Sequence, residues 1–208
     1  MMSQSEENKQ RFCELLRSTG RENIEYVIED LESYGFFDAP ASARNHFNHP
    51  GGLVEHSLNV YDAAMMLREG IIRRRPDLEK KLPADAVVIA SLLHDVCKAD
   101  IYNLVTRKRK NEIGVWEETQ EYEVSYSRMP VGHGEKSVVM LLRMGLDLED
   151  DEICAIRWHM GPWAVDTSSI EQDKSYRQSI ANSPLLPLIH TADTIASQIF
   201  ERDETLSR

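Results

Sequence analysis

Two side chains that can ligate a metal stand next to each other in Ala90-Ser91-Leu92-Leu93-His94-Asp95-Val96-Cys97-Lys98. They end a stretch, with Ala86, Val87, Val88, Ile89, Ala90, Leu92 and Leu93, that is apolar on nearly every face of a helix. Such a helix is expected to be buried. A buried helix ending in a histidine and an aspartate must find partners for their polar atoms. A metal ion satisfies both at once. A solvated aspartate beside a core histidine is the plainer alternative for the same stretch.

The rest of the chain repeats the theme. All seven histidines fall between His46 and His190. His56 shares a helix face with Leu53, Val60, Ala63, Ala64 and Leu67, so it points with the apolar side. His133 opens a helix after Gly132, and His159 follows Ile153 and Ile156 at helical spacing. His190 and Asp193 are three apart and share one face. One histidine on an apolar face is usually a satisfied core residue. Five helices that each turn a His or Asp inward are a different matter. Left without partners, each buried group would cost on the order of 1–3 kcal/mol. A shared metal centre in a helical bundle removes that cost.

The ordered set His56, His94-Asp95 and Asp193 resembles the signature of the HD-domain superfamily of metal-dependent phosphohydrolases. The likeness runs from about His46 to Phe200. Gly51-Gly52-Leu53-Val54-Glu55-His56-Ser57-Leu58 and Leu92-Leu93-His94-Asp95-Val96-Cys97-Lys98 are similar to how many members write these segments. The resemblance implies an all-α helical bundle. It implies that His56, His94, Asp95 and Asp193 ligate a first metal. His133 and His159 would add a second, with Asp95 bridging the two. Such mixed nitrogen and oxygen ligands suit Mn²⁺, Fe²⁺, Co²⁺, Ni²⁺ or Zn²⁺ better than Ca²⁺. The Gly-Tyr-Pro extension of the cyclic-di-GMP-hydrolysing branch is missing, because Met160-Gly161-Pro162-Trp163 follows His159. That substrate is therefore not expected.

One or two such ions lower the pKa of water and polarise a phosphoryl oxygen. Asp95, Lys98 and His190 are then the candidate catalytic residues. Lys98 reaches the ligands' side if the helix continues one more turn, and it would bind the substrate phosphate; otherwise it is a surface lysine. His190 is an acid, a hydrogen-bonding partner, or a structural histidine of the bundle. His46 and His49, in the loop before His56, are placed at the substrate entrance. Glu135 orients a ligand or favours a helix N-terminus. The expected activity is hydrolysis of a small phosphoester of the nucleotide kind, monoester or diester. The same ligands are also similar to those of the di-iron oxygenases of the HD fold, which activate O₂. A third possibility is a nucleotide sensor without catalysis, against which the intact ligand set argues.

The elements that must position these groups follow from periodicity. Helices are predicted over 6–18, 21–33, 53–69, 84–95, 134–144, 149–159, 172–181 and 187–201. The first two form a helical extension, 1–45, packed on an HD domain spanning 46–208. A β-hairpin is predicted within 102–126, with strands 102–107 and 115–126 around a turn at 111–114. Arg107-Lys108-Arg109-Lys110 forms its basic tip and is taken as a solvated turn rather than a phosphate contact. Arg73-Arg74-Arg75-Pro76 is predicted as a solvated connection.

With 41% hydrophobic and 28% charged residues, the composition is that of a soluble globular domain. The polar first residues lack a signal peptide's apolar core, and no apolar run approaches a membrane helix. Cys13, Cys97 and Cys154 are odd in number and far apart, which fits a reducing cytoplasm rather than a disulfide framework. A net charge of −11 argues against a long nucleic acid as partner. A small anion remains compatible, because a metal can dominate the local charge. The sequence leaves the oligomeric state open.

Overall fold

A computed structural model describes residues 2–44, 47–111, 113–126 and 128–202. In chain order the elements are α1 (Gln4–Ser18), α2 (Ile24–Ser33), α3 (Gly52–Arg74), α4 (Ala84–Leu93), α5 (Lys98–Ile101), β1 (Tyr102–Lys110), β2 (Trp116–Val124), α6 (His133–Arg143), α7 (Asp150–Trp158), α8 (Ile170–Asn182) and α9 (Leu185–Ile195). The architecture is the expected helical bundle with one small antiparallel hairpin inserted. Among the described residues no helix is long and apolar enough to cross a membrane.

The helix α4 is the axis of the bundle. It has no polar face to give to water, so it must be covered on every side. Helices α1, α3, α7 and α9 pack around it. Val87, Ile89, Ala90, Leu92 and Leu93 are fully buried as a result. Each buried aliphatic side chain of this size contributes roughly 1.5–3 kcal/mol relative to exposure.

The N-terminal pair shares this core. Ser3 and Glu6 close a capping box at the start of α1. Phe12 packs on Phe36 and Phe37 at centroid separations of 5.2 and 5.7 Å. Arg21, between α1 and α2, bridges Asp85 of α4 and the buried Glu152 of α7. These contacts hold the entry to α4 against α7, two helices that end in His94 and His159.

Three expectations change. Helix α3 continues through Arg74, so only Arg75 is left as connection before Pro76. The residue before a proline is pushed out of helical geometry, which sets the stop there. The basic run is not the hairpin tip but the last four residues of β1. Arg107 pairs with Glu123 at 3.1 Å, Lys108 with Glu118 at 3.2 Å and Arg109 with Glu121 at 2.9 Å. Opposite charges across an antiparallel pair stabilise it, and they occupy this run. Finally, α9 does not run regularly to residue 201. It passes into a π-helical turn, Ala196–Phe200, closed by the Glu201 N–H donating to the Ala196 carbonyl at 3.0 Å.

Helices α6 and α7 cross where Gly134 lies against α7. A methyl at Gly134 would collide with the Arg157 carbonyl. Gly134→Ala is expected to destabilise the protein by about 1–3 kcal/mol, the usual cost of overpacking. Urea denaturation of the metal-free protein checks this. Wild-type stability in the variant would mean that the crossing is looser than described.

Candidate metal centre

Two helices end in the same device. His94 caps α4 and His159 caps α7. The Nδ1 of each lies against the carbonyl three residues back, Ser91 at 2.8 Å and Ile156 at 2.7 Å. A carbonyl only accepts, so each Nδ1 carries the proton and each Nε2 carries a lone pair. Both Nε2 atoms are buried and, among the described residues, have no hydrogen-bond partner. Each faces a carboxylate oxygen of Asp95 at 3.3 Å. A lone pair held against a carboxylate is repulsive unless a cation lies between them. This pair of orphaned nitrogens is the feature that a metal ion fits.

The other ligand candidates converge on the same carboxylate. From α3, His56 Nε2 lies 3.3 Å from Asp193 Oδ1 and 3.7 Å from Asp95 Oδ2. From the start of α6, His133 Nε2 lies 2.6 Å from Asp95 Oδ1. Asp193 comes from α9, three residues after His190. The rings of His56, His94, His159 and His133 follow one another at centroid separations of 5.3, 4.8 and 5.3 Å. The Asp95 carboxylate is thereby divided. Its Oδ2 faces His56, His94 and Lys98, and its Oδ1 faces His133 and His159. His56, His94 and Asp95 form one triplet close enough to hold an ion. His94, His159 and Asp193 form a second, and Asp95, Cys97 and His133 a third.

The electrostatics follow from burial and charge. Burial alone would raise the Asp95 carboxyl, but the Lys98 ammonium and His133 outweigh it and hold it well below its ordinary value. Asp193 is likewise lowered, mainly by its hydrogen bond with His56 working against burial. Burial works against a proton on His56, yet Asp193 and Glu201 raise it to about 9. His133 is raised to about 10, because Asp95 outweighs burial. His159 is pushed down by burial. Lys98 stays protonated: burial opposes its charge, but Asp95, 2.6 Å away, overcomes that and raises it.

The helical turn does continue past His94. The Lys98 N–H donates to the Asp95 carbonyl at 2.9 Å, which carries the lysine round to the ligand side. Its ammonium touches Asp95 and lies beside Tyr102 at the base of the hairpin. His190 is not in the ring of converging Nε2 atoms. Its Nδ1–H donates to the His159 carbonyl at 2.7 Å, and its ring covers Gly161. His49 is exposed and engaged elsewhere, with the Pro50 carbonyl at 3.1 Å and Glu55 at 3.7 Å. His46 lies outside the described residues. Glu135 forms an ion pair with Arg157, which stacks on Trp158, and so fastens α6 to α7.

Sequence reasoning missed Glu201. Its buried carboxylate lies 3.0 and 3.1 Å from His56 Nδ1 and accepts from Asn59 Nδ2 at 3.1 Å. In a regular helix the residue seven after Asp193 shares its face, and that is Phe200. The π turn adds one residue, so Glu201 turns inward while Phe200 is left 45% exposed. The available signal was an acidic residue closing an apolar helix.

A family model described as HD domain matches residues 53–198. No curated protein and no solved structure matches the chain. The matched stretch opens three residues before His56, closes five after Asp193, and takes in every member of the His and Asp cluster. It covers well over half of the chain, so the protein belongs to the HD-domain superfamily of metal-dependent phosphohydrolases.

Proposed function

We propose that the protein hydrolyses a small phosphoester of the nucleotide kind. His56, His94, Asp95 and Asp193 would hold one divalent transition metal. His133 and His159, with Asp95 shared, would hold a second. Such ions supply a water of lowered pKa and neutralise charge on a phosphoryl group. What supports this most is the position of Asp95, whose two oxygens each face two imidazoles in a family of metal-dependent phosphohydrolases.

The chain's own groups do the rest. The carbonyls of Ser91 and Ile156 fix the tautomers of His94 and His159, so no reorganisation is needed before a ligand bond forms. Lys98 supplies the phosphate-binding cation, with Tyr102 beside it. The centre opens where burial is least complete, at His133 and Asp193, whose side chains are 28% and 18% exposed. His190 steadies the turn that follows His159 and is not required to touch substrate. In this reading residues 1–45 are an extension that completes the core of a domain spanning 46–208. The unpaired Cys13, Cys97 and Cys154 suit a reducing compartment.

The test is a panel of nucleotide monoesters and diesters, assayed with Mn²⁺ or Co²⁺ in the presence and absence of O₂. Hydrolysis independent of O₂ is expected. Lys98→Met is expected to keep its metal while turnover falls by about 10²- to 10³-fold, the usual loss for one charge-stabilising group. Turnover that requires iron and O₂, with no ester cleaved, would overturn the reading in favour of an oxygenase. An unchanged rate in Lys98→Met would remove the lysine from the phosphate site.

A further inference from the structure

His56 differs from the other histidines of the cluster in what stands behind it. The Nδ1 atoms of His94 and His159 meet neutral backbone carbonyls, and that of His133 lies 3.4 Å from Cys97 Sγ. Only His56 has a carboxylate there. The Glu201 side chain has no solvent exposure and places both oxygens within 3.1 Å of Nδ1. Asn59, three residues on from His56 along α3, donates to the same carboxylate and holds it in register. The π turn after α9 brings Glu201 to this point, and it belongs to the helix that carries Asp193. Single π turns of this kind are often found at functional sites. The family match closes at residue 198, so Glu201 lies beyond the matched stretch.

We infer that Glu201 is a positioning residue: its carboxylate accepts the Nδ1 proton of His56 and strengthens the hold of His56 Nε2 on a divalent ion. The inference rests on the metal-centre reading above. An ionised acceptor makes a shorter and stronger hydrogen bond than a neutral one. It fixes the ring so that Nε2 carries the lone pair, and it raises the electron density that Nε2 donates. It also adds a third carboxylate to those of Asp95 and Asp193 around His56.

The experiment compares the full-length wild type, Glu201→Gln and Glu201→Ala by calorimetric titration with Mn²⁺ and by the visible spectrum of bound Co²⁺. Glutamine keeps a hydrogen-bond acceptor for Nδ1–H and removes only the charge. Metal affinity is expected to fall about 10- to 100-fold in Glu201→Gln, further in Glu201→Ala, with a changed Co²⁺ spectrum in both. In a His56→Ala background the Glu201→Gln change is expected to have no further effect, because the glutamate acts through the histidine. A Glu201→Gln affinity within about twofold of wild type overturns the inference, since the loss expected on removing a charged partner behind a metal-ligating histidine would be absent. If the wild type binds neither ion, the metal-centre reading itself has failed. Should the variants not fold, proton NMR of the Zn²⁺-loaded wild type decides. A persistent, exchange-protected His56 Nδ1 proton is expected, and its absence overturns the proposal.

Discussion

Asp95→Asn is expected to abolish metal binding and turnover together. The substitution hardly changes shape, so its effect is one of charge. Asp95 lies within 3.7 Å of His56, His94, His133, His159 and Lys98 alike. An amide offers one acceptor where the carboxylate offers two charged ones, and its NH₂ would face two imidazoles. The loss of turnover should reach 10³-fold or more, on the order of the several kcal/mol that a metal centre provides. The buried Lys98 ammonium would also be left facing a neutral group, and burying an unpaired charge is costly. Metal analysis after dialysis, alongside the phosphoester assay, checks both. Wild-type metal content in Asp95→Asn would place the ion elsewhere.

Metal-free and metal-loaded protein should respond to pH in opposite ways. In the metal-free form His56 and His133 are raised from their ordinary value of 6.5 to about 9 and about 10. A folded-state pKa above the unfolded one gives stability that is complete below about 6.5 and is lost as pH rises through the folded value. The Tm of the metal-free protein is therefore expected to fall between pH 7 and pH 10. A metal needs the same Nε2 atoms without protons, so loading at pH 7 should release about two protons. Affinity should rise with pH across this window, and the gap in Tm between loaded and metal-free protein should widen. Thermal melts at four or five pH values, with and without Co²⁺, test the sign directly. A metal-free Tm that is flat or rising from pH 7 to pH 10 would contradict the protonated state assigned to these histidines.

Much of this was legible in the sequence because helical periodicity fixes which residues share a face. Leu53, His56 and Val60 lie one above another whatever packs on them, and so do His190 and Asp193. The all-apolar surface of α4 required burial before any partner was known. Lys98 was placed by the same rule: three residues after Asp95, it returns to the same side.

Where the sequence was silent, the reason was also local. The basic run was placed at a hairpin tip because composition says nothing about register. The pairing of Arg107 with Glu123 and of Lys108 with Glu118 appears only once β1 and β2 are aligned. His190 stayed open between an acid, a hydrogen-bonding partner and a structural histidine, since periodicity gives a face but not what a side chain meets there. Its ring is taken up by the His159 carbonyl and Gly161.

By itself, then, the sequence determined the bundle, its buried central helix and the six residues His56, His94, Asp95, His133, His159 and Asp193 as a set. The bundle and its buried helix follow from local spacing and from the cost of burying polar groups; the grouping of the six follows from the resemblance of their order to the HD-domain signature. Only the tertiary structure decided that the four histidines meet around the Asp95 carboxylate with Asp193 against His56, which ring nitrogens face it, and that Glu201 stands behind His56. Those features depend on contacts between residues as much as 145 positions apart and on one irregular turn, neither of which is written in helical periodicity.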